Sequence, residues 1–441
     1  MKPRPSRTQA TLTLLRQYES RNILFTEPDG SWPIVWERAR GVHVWDAAGK
    51  KYLDLTAAFG VAAAGHANPR VVRAGQRQMA TLLHAMGDVH PHARKAELAR
   101  ELSRLTFERW SRRHRITGKV IFSNSGFEAV ESALKTARLA TGRRGIIAFQ
   151  GAYHGLGYGA LNATHRAHFR GPFRNQLRQF GHFLPFPMAS ANSAAQLQQL
   201  KTAAEKIFKR ERIGAILVEP IQARGGCNVP PPEFLPLLRR QCEAHGALLI
   251  LDEIYTGFGR TGKWFACEHS GVIPDLICLG KALTGGFPLS ACVGRADVMD
   301  AAWPASNGEA IHTSTFLGHP VGCAMALAQI SEIHRQKLVA RSARLGERLL
   351  AELSKIQSPK STVICRVRGT GLMVGLELTL PDGRPATQIA LEVIKTLLHR
   401  GFILLPEGEH SHVISFTPPL TITAAQLRHA VAALRRVLNH E

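Results

Sequence analysis

The sequence predicts an α/β fold in which a mostly parallel, doubly wound sheet forms a large domain and the N- and C-terminal segments form a smaller α+β lobe. Strand–loop–helix units follow one another from Lys119 onward, a pattern typical of βαβ repeats. Two short apolar runs, at residues 248–251 and 276–279, stop abruptly at polar or glycine residues, as buried parallel strands do. Beyond residue 353 the pattern changes to short strands and helices, which indicates the second lobe.

The first half of the chain predicts most of the large domain. Residues 33–55 indicate two short strands around the turn at 46–49, and residues 59–69 form a loop of small residues. Helical spacing follows at 70–83 and 93–105. The next elements are strands at 120–122, 146–149 and 214–218, helices at 127–140 and 232–245, and one polar helix among the basic, proline-bearing loops of 160–212.

The last third of the chain predicts a connector and the second lobe. A long helical stretch at 321–353 has the length of a connector between two lobes. Strands are expected at 363–367, 372–378, 402–405 and 413–416, and helices at 387–400 and 424–438. We therefore expect residues 1–65 to belong to the small lobe, residues 66–320 to form the large domain, and residues 321–441 to form the connector helix and the C-terminal small domain.

Composition limits the classes of protein that this chain can form. With 441 residues, 45% of them hydrophobic, it can bury the cores of at least two lobes. It has no apolar run of 18 residues, so we expect no membrane span. The seven cysteines lack paired spacing, which favours a reducing, cytoplasmic location over a disulfide framework or a zinc site. The basic N-terminus indicates an amphipathic first helix, with a mitochondrial-type presequence as the alternative.

The net charge is strongly positive: the chain has 56 Lys and Arg residues and 33 Asp and Glu residues, which gives a net charge of +23. Such a field attracts anionic small molecules and, in some proteins, nucleic acid. The densest basic cluster, Arg109 with residues 112–115, contains a single aromatic side chain, Trp110. A solvated basic surface is therefore favoured over a nucleic-acid site.

An acid and a lysine follow the two apolar runs that predict neighbouring strands. Asp252 ends the first run, and Lys281 follows the second after Gly280. The carboxyl ends of parallel strands are where α/β proteins gather their chemistry. A poorly solvated lysine has a lowered pKa suited to imine formation, and a buried carboxylate can pair with a pyridinium nitrogen. The alternative is a structural ion pair.

Two further segments suit a planar, phosphate-bearing ligand. Ser125 and Gly126 precede a predicted helix, whose free backbone N–H groups form a natural phosphate cradle. Tyr153 lies between glycines after a strand, where an aromatic ring can lie flat on a planar ligand. The alternatives are an ordinary capped helix and a loop aromatic that covers the core.

Together these segments resemble the class III, or ω-aminotransferase-type, family of pyridoxal-phosphate enzymes, which has the fold-type I architecture. The resemblance extends from about residue 41 to 438 and includes the blocks SNSGFEAVESALKTAR, GAYHG, VEPIQ, LILDEIYTGFGRTGKWFA, PDLICLGKALTGGFPLSA, TSTFLGHPVGCAMA and VRGTGLMVGLEL. It implies pyridoxal 5'-phosphate as cofactor and a ping-pong transfer of an amino group from an amino acid or amine to an oxo acid or aldehyde. It also implies a homodimer with shared active sites.

The resemblance assigns the two central roles to the residues at the strand ends. Lys281 would bind the cofactor as a Schiff base and move the proton between the substrate and cofactor carbons. Asp252 would pair with the pyridine nitrogen, and His154 would lie beside the ring-stacking Tyr153.

The resemblance also assigns contacts around the cofactor. Ser125, Gly126 and the amide of Phe127 would hold the phosphate, and Tyr153 would stack on the ring. Tyr255 occupies the position of a glutamine that contacts the ring hydroxyl. Thr315 would reach the phosphate of the partner subunit.

The chain departs from the family pattern at several positions. Phe127 replaces a threonine, and Tyr255 replaces the glutamine. Many relatives have a glutamate at the position of Arg224 and an arginine at that of Ser415, a pair that alternately covers and frees the arginine for dicarboxylate substrates. Our hypothesis is that Arg224 supplies a fixed cation for a substrate carboxylate. The alternative is that it points to solvent or pairs structurally.

The substrate pocket and the reaction type stay open at this stage. Phe59 and Val61 are expected to line the pocket together with Tyr153, Arg224 and Ser415. The same scaffold also supports aminomutases, decarboxylating transaminases and racemases. A more remote alternative is a non-catalytic nucleic-acid-binding protein of the same fold, motivated by the charge of +23.

Overall fold

The computed structural model describes residues 6–27, 31–111, 116–356 and 363–439. The strands are β1 (Trp36–Arg40), β2 (His43–Asp46), β3 (Lys51–Asp54), β4 (Gly118–Ser123), β5 (Gly145–Phe149), β6 (Gly181–Leu184), β7 (Ile213–Val218), β8 (Leu248–Asp252), β9 (Leu276–Leu279), β10 (Ser290–Arg295), β11 (Ile364–Thr370), β12 (Met373–Thr379), β13 (Phe402–Ile403), β14 (Leu405–Glu407) and β15 (Val413–Phe416).

The helices are α1 (Arg7–Tyr18), α2 (Ala57–Gly60), α3 (Pro69–Thr81), α4 (Ala93–Ser103), α5 (Gly126–Thr141), α6 (Tyr158–Leu161), α7 (Ala167–Arg170), α8 (Ser193–Arg210), α9 (Phe234–His245), α10 (Ala296–Ala302), α11 (Pro320–Arg335), α12 (Leu338–Leu353), α13 (Thr387–His399) and α14 (Ala424–Leu438). A π-helical turn, Arg104–Glu108, extends α4. Short 3-10 turns lie at Gly171–Phe173, Ala266–His269 and Lys281–Leu283.

The central sheet has seven strands in the order β4-β10-β9-β8-β7-β5-β6. The pairs from β9 through β8, β7 and β5 to β6 are parallel, and β10 runs antiparallel to both β4 and β9. This order confirms the predicted mostly parallel, doubly wound sheet. Strands β6 and β10 were missed, because β6 is a partly exposed edge strand that begins with glycine and β10 is built of small residues.

The described residues form two smaller sheets in addition to the central sheet. One has the order β1-β2-β3-β13, in which β13 pairs parallel with β3, so N-terminal and C-terminal segments share a sheet as expected for the small lobe. The other is the antiparallel sheet β11-β12-β15-β14. The exact boundaries at residues 65 and 320 stay a prediction.

The predicted connector at 321–353 is two helices instead of one. α11 ends at Arg335 and α12 begins at Leu338, because Lys337 adopts the left-handed conformation with φ 52°. Leu338 is then almost fully buried, at 1% exposure, so the break directs an apolar side chain into the core. Neither glycine nor proline marks this break in the sequence, so the helical period alone did not reveal it.

The N-terminal and basic segments add little to the core. The predicted first helix is present as α1, with a capping box between Ser6 and Gln9, and none of its residues is buried. In the basic cluster, Arg109 forms an ion pair with Glu268, and residues 112–115 lie outside the described residues. Among the helices that the structure describes, none combines the length and the apolar character that a membrane span needs.

Candidate active site

Three adjacent parallel strands end at one edge of the central sheet, and each end carries an ionisable side chain. Glu219 follows β7, Asp252 ends β8, and Lys281 follows β9 after one glycine. The register of β8 and β9 places Asp252 opposite Cys278. Lys281 has a left-handed backbone with φ 44°, a conformation that costs a non-glycine residue about 1–3 kcal/mol. The structure therefore brings the predicted acid and lysine to the same edge.

The carboxylate of Asp252 is held from two sides. Its Oδ2 lies 2.8 Å from Nδ1 of His154, and its Oδ1 accepts a hydrogen bond of 3.1 Å from the backbone N–H of Ile254. The backbone N–H of His154 donates in turn to Oγ1 of Thr164, at 2.9 Å. Nε2 of the buried His154 has no hydrogen-bond partner in the described part of the chain. Asp252 and His154 thus form an oriented pair, a contact that the sequence did not predict.

Lys281 lies where its amine is poorly solvated. Burial lowers the pKa of Lys281, and the nearby guanidinium of Arg224 lowers it further, whereas Asp252 and Glu219 oppose the shift. A lower pKa raises the fraction of neutral amine at physiological pH, and only the neutral amine attacks a carbonyl carbon. The amine is therefore suited to imine formation.

The aromatic ring of Tyr255 forms a wall beside the lysine. Nζ of Lys281 lies 4.9 Å from the centroid of this ring. The hydroxyl of Tyr255 lies 3.2 Å from Oγ1 of Thr417, so it is directed toward the second lobe. A Cβ on Gly60 would lie 3.0 Å from the ring, so glycine allows this close approach.

Phe59 and Val61 flank Gly60 in the short turn α2. The backbone is left-handed at Ala58 (φ 48°) and Phe59 (φ 61°), which is uncommon for residues other than glycine. Phe59 is 51% exposed, and Val61 is half-buried. Because Gly60 contacts the ring of Tyr255, the turn lies next to the wall beside the lysine.

The N-terminus of α5 is the segment for which the sequence predicts a phosphate cradle. Ser125 is the N-cap, and its backbone N–H donates to Oε2 of Glu128 at 2.7 Å. Within the described part of the chain, the amides of Gly126 and Phe127 donate to no protein acceptor. A Cβ on Gly126 would lie 3.1 Å from Cδ1 of Ile254, so glycine lets this helix end approach the end of β8.

Tyr153 is anchored through its backbone. Its N–H donates to Oε1 of Glu219 at 3.0 Å, and its ring packs edge-on against Phe169, with centroids 5.5 Å apart. The guanidinium of Arg224 lies 5.7 Å from the centroid of the Tyr153 ring. Burial raises the pKa of Tyr153, and Arg224 and Arg166 oppose the shift. The backbone of Tyr153 is therefore tied to Glu219 at the end of β7, and its ring lies beside the guanidinium of Arg224.

Arg224 pairs with a carboxylate that the sequence did not single out. Its Nη1 lies 3.5 Å from Oε2 of Glu407, a residue of β14 with a side chain 3% exposed. Nη2 of Arg166 donates to the backbone carbonyl of Arg224 at 2.6 Å. Ser415 is buried, and its Oγ lies 3.7 Å from Sγ of Cys227. Arg224 therefore faces the site, and the pairing foreseen as the alternative to substrate binding is present in this structure.

Thr315 lies apart from these residues. It is exposed, in a loop whose His312 contacts α5 of the same chain, with Nε2 of His312 3.0 Å from Oγ of Ser132. No described contact joins Thr315 to Lys281 or to the end of α5. Its predicted contact with a partner subunit stays a prediction.

Three ionisable residues near the site were missed in the sequence. Glu219 carried a usable signal, because it follows a buried strand in the same way as Asp252 does. Glu407 and Arg166 carried none, since their positions depend on the register of the β14–β15 hairpin and on an irregular loop. Burial raises the pKa of both Glu219 and Glu407 to about 7.

Comparison with known proteins identifies the family. Residues 25–438 match the sequence profile of the family described as aminotransferase class-III. The chain belongs to the class-III aminotransferases. The predicted family, fold class and type of enzyme are thereby confirmed, and so is pyridoxal phosphate as the cofactor on which this family depends.

Curated relatives of this aminotransferase act on several substrates. It is 38% identical to a 5-aminovalerate aminotransferase of Pseudomonas aeruginosa, over 91% of this chain and 92% of that protein. It is 35% identical to a 2-aminoadipate transaminase of Pseudomonas putida, over 92% of this chain and 96% of that protein. An amine transaminase structure from an uncultivated Pseudomonas species, in its pyridoxal-phosphate-bound form, superposes with a TM-score of 0.87 at 28% identity, covering 96% and 98% of the two chains.

The residues of the aminotransferase fit this cofactor on three observations. Lys281 is an amine of lowered pKa, which suits condensation with an aldehyde. The amides of Gly126 and Phe127 lie at a helix N-terminus with no protein acceptor in the described residues, which suits a phosphate. Asp252 is oriented by His154 and has lone pairs left for a protonated ring nitrogen.

Proposed function

We propose that this aminotransferase uses Lys281 as its catalytic amine and transfers the amino group of a substrate that carries a carboxylate. The observation that carries this proposal is the amine of lowered pKa at the end of β9, charge-coupled to Asp252 and Glu219 at the neighbouring strand ends. When bound, pyridoxal phosphate supplies an electron-withdrawing ring that stabilises negative charge at the substrate carbon. The protein supplies binding, orientation and proton transfer.

Lys281 has two tasks in this proposal. Its Nζ would hold the cofactor through the aldehyde group, and as a free amine it would take a proton from one substrate carbon and return it to another position. The lowered pKa increases the fraction of the released amine that is neutral and able to accept the proton. Tyr255, whose ring centroid lies 4.9 Å from Nζ, limits where the amine can move.

Asp252 and the end of α5 hold the cofactor in register with the amine. Asp252 keeps a proton on the ring nitrogen, and His154 fixes the direction of its carboxylate. Ser125 and the amides of Gly126 and Phe127 bind the phosphate. Tyr153 covers the ring face.

The pocket beyond the cofactor is lined by residues of several elements. Phe59 and Val61 form one wall next to Tyr255, and Ser415 lies on β15. Arg224 binds the carboxylate of the substrate through charge-assisted hydrogen bonds. The relatives named for 5-aminovalerate and 2-aminoadipate support a substrate that carries a carboxylate.

A second copy of the chain completes the assembly in this proposal. Large apolar side chains are exposed in the segment that follows α3 and in the loop that contains Thr315; they are Leu82, Leu83, Met86, Val89, Ile311 and Phe316. The rings of His84 and Phe316 lie 5.3 Å apart, so the two segments form one continuous surface. An apolar surface of this kind marks an interface. The homodimer also places Thr315 near a cofactor phosphate of the partner.

We further propose a cytoplasmic location. All seven cysteines of the chain are free thiols, and six of them are buried. Free thiols suit a reducing compartment.

The proposed function is tested by the products of single turnovers. The purified protein is loaded with pyridoxal phosphate and mixed with a panel of amino acids, ω-amino acids and plain amines. Loss of the amino group to the cofactor, without release of CO2 or of a rearranged amine, is the expected result and separates transamination from decarboxylation and mutase chemistry. Lys281→Ala should abolish transfer, and Lys263→Ala, at an exposed lysine, should not. Transfer by Lys281→Ala at the wild-type rate would contradict the proposal.

A further inference from the structure

Glu407 is a buried carboxylate whose hydrogen-bonding capacity is not met. Its side chain is 3% exposed, and Oε2 has no hydrogen-bond partner among the residues that the structure describes. The nearest cation is Nη1 of Arg224, at 3.5 Å, which is an ion-pair distance longer than a good hydrogen bond. A buried charge with one loose partner is costly, because desolvation of a carboxylate exceeds the attraction of a poorly placed cation. The ion pair between Arg224 and Glu407 is therefore weak and can separate.

Arg224 can change its side-chain partner without losing its backbone anchors. Its carbonyl accepts from Nη2 of Arg166 at 2.6 Å and from the backbone N–H of Gly408 at 3.1 Å. The side chain is 31% exposed and lies beside the ring of Tyr153, so the guanidinium borders both solvent and pocket. A substrate carboxylate that enters past Tyr153 meets this guanidinium.

The groups that face Glu407 come from every element around it. Two cations, Arg224 and Arg166, come from loops, and Lys281 comes from the end of β9. The anionic group is Glu219, at the end of β7. The charge of Glu407 also acts on the neighbouring Cys227 and Tyr255, whose pKa values it raises.

These neighbours set the protonation of Glu407. Burial raises the pKa of Glu407 to about 7; Arg224 is the strongest opposing influence, ahead of Arg166 and Lys281, whereas Glu219 adds to the shift. If Arg224 turns to a substrate anion, Glu407 loses its main cation and gains a nearby negative charge. Each change favours the neutral acid.

We propose that a substrate carboxylate takes Arg224 away from Glu407 and that Glu407 binds one proton from solvent as this happens. The inference builds on the proposed function, since it takes the Lys281 site as the reaction centre. One anion enters and one proton follows it, so the net charge around Lys281 does not change. Glu407 is thereby a specificity residue: acid substrates bind with a proton, and amines without a carboxylate leave the pair intact.

The direct test counts protons in a binding experiment without chemistry. Pentanoate and pentanamide have the same shape, and only pentanoate carries a charge. Each is titrated calorimetrically at pH 8 into the protein loaded with pyridoxal phosphate, in two buffers of different ionisation enthalpy. Pentanoate should take up about one proton per site, since Glu407 is mostly ionised above its pKa of about 7, and pentanamide should take up none.

Two variants separate Glu407 from other groups that titrate. In wild type, the dissociation constant of pentanoate should rise about tenfold for each pH unit above 7, because one proton binds with the ligand. Glu407→Gln should remove both the proton uptake and this slope, and should bind pentanoate more tightly than wild type at pH 9. The matched control Glu409→Gln, an exposed carboxylate on the same hairpin, should behave like wild type.

Other outcomes overturn the inference. Proton uptake of zero in wild type, or unchanged uptake in Glu407→Gln, would show that Glu407 is not the acceptor. Arg224→Ala should lose the preference for pentanoate over pentanamide, and retention of that preference would show that another cation binds the carboxylate. Failure of this inference can be told apart from failure of the proposed function, because failure of Lys281 to bind the cofactor is seen in the loading step, before any titration.

Discussion

The floor and the rim of the active site are built in different ways. The floor consists of Glu219, Asp252 and Lys281 at the ends of three neighbouring parallel strands, with Asp252 held by hydrogen bonds of 2.8 and 3.1 Å. The rim joins Arg224 to Glu407 across two lobes, at 3.5 Å and with the arginine partly exposed. The floor is rigid because the sheet fixes it, and the rim can rearrange. In the proposed function, the floor sets the reaction type and the rim selects the substrate.

The largest effect is expected at the floor, from Asp252→Asn. The amide keeps the shape of the side chain but cannot hold a proton on the cofactor nitrogen, so the stabilisation of developing charge is lost. We expect kcat to fall by about 10²–10³-fold for every substrate, with or without a carboxylate. Steady-state kinetics with one acid and one plain amine measure this. A loss confined to the acid substrate would break the distinction between floor and rim.

A smaller loss is expected from His154→Ala. His154 acts through Asp252, at 2.8 Å, so it is a positioning residue. Misplacement of the carboxylate should lower kcat by about 10- to 100-fold. The decisive readout is the double variant with Asp252→Asn, which should be no slower than Asp252→Asn alone, because the two residues act as a unit. Additive losses would show that His154 has a separate role.

At the rim, Arg224→Ala should affect substrates selectively. Loss of a charge-assisted hydrogen bond, about 1.5–3 kcal/mol, should raise KM for carboxylate substrates by about 10- to 150-fold. KM for a plain amine should change little. kcat should also change little, both for substrates with a carboxylate and for plain amines. The ratio of kcat/KM between an ω-amino acid and the amine of equal length measures the effect. An equal loss for both substrates would assign Arg224 a structural role instead.

The smallest effect is expected from Ser415→Ala. Its hydroxyl has only a weak contact, 3.7 Å from Sγ of Cys227. Removal of the hydroxyl should change KM for any substrate by less than about twofold and the free energy of unfolding by about 1 kcal/mol or less. Thermal denaturation and steady-state kinetics test this. A large change in KM would place Ser415 in the pocket more directly than its burial indicates.

The same difference between floor and rim explains what the sequence could predict. Asp252 and Lys281 were found because a short apolar run that ends in an ionisable residue places that residue at the carboxyl end of a strand, where α/β proteins gather their chemistry. Arg224 was recognised only as a departure from a pattern, and its partner Glu407 was missed. That pair depends on the antiparallel register of β14 and β15, where Glu407 lies opposite Val413. Such a register is set by tertiary packing and leaves no local pattern in the sequence.

The fold shows the same limits. The parallel strands from β5 to β9 and the helices α3, α5, α9 and α14 were predicted, except for β6 at the sheet edge. The break between α11 and α12 at Lys337 was not predicted, since packing of Leu338 in the core overrides the helical period there.

The central claim is that Lys281 is the amine that binds the cofactor, and chemical trapping tests it most directly. The protein loaded with pyridoxal phosphate is reduced with borohydride, digested, and analysed by mass spectrometry. We expect a single modified peptide, with the added pyridoxyl mass on Lys281 and none on Lys263. A stable adduct on another lysine, or no adduct in a protein that still transfers amino groups, would contradict it.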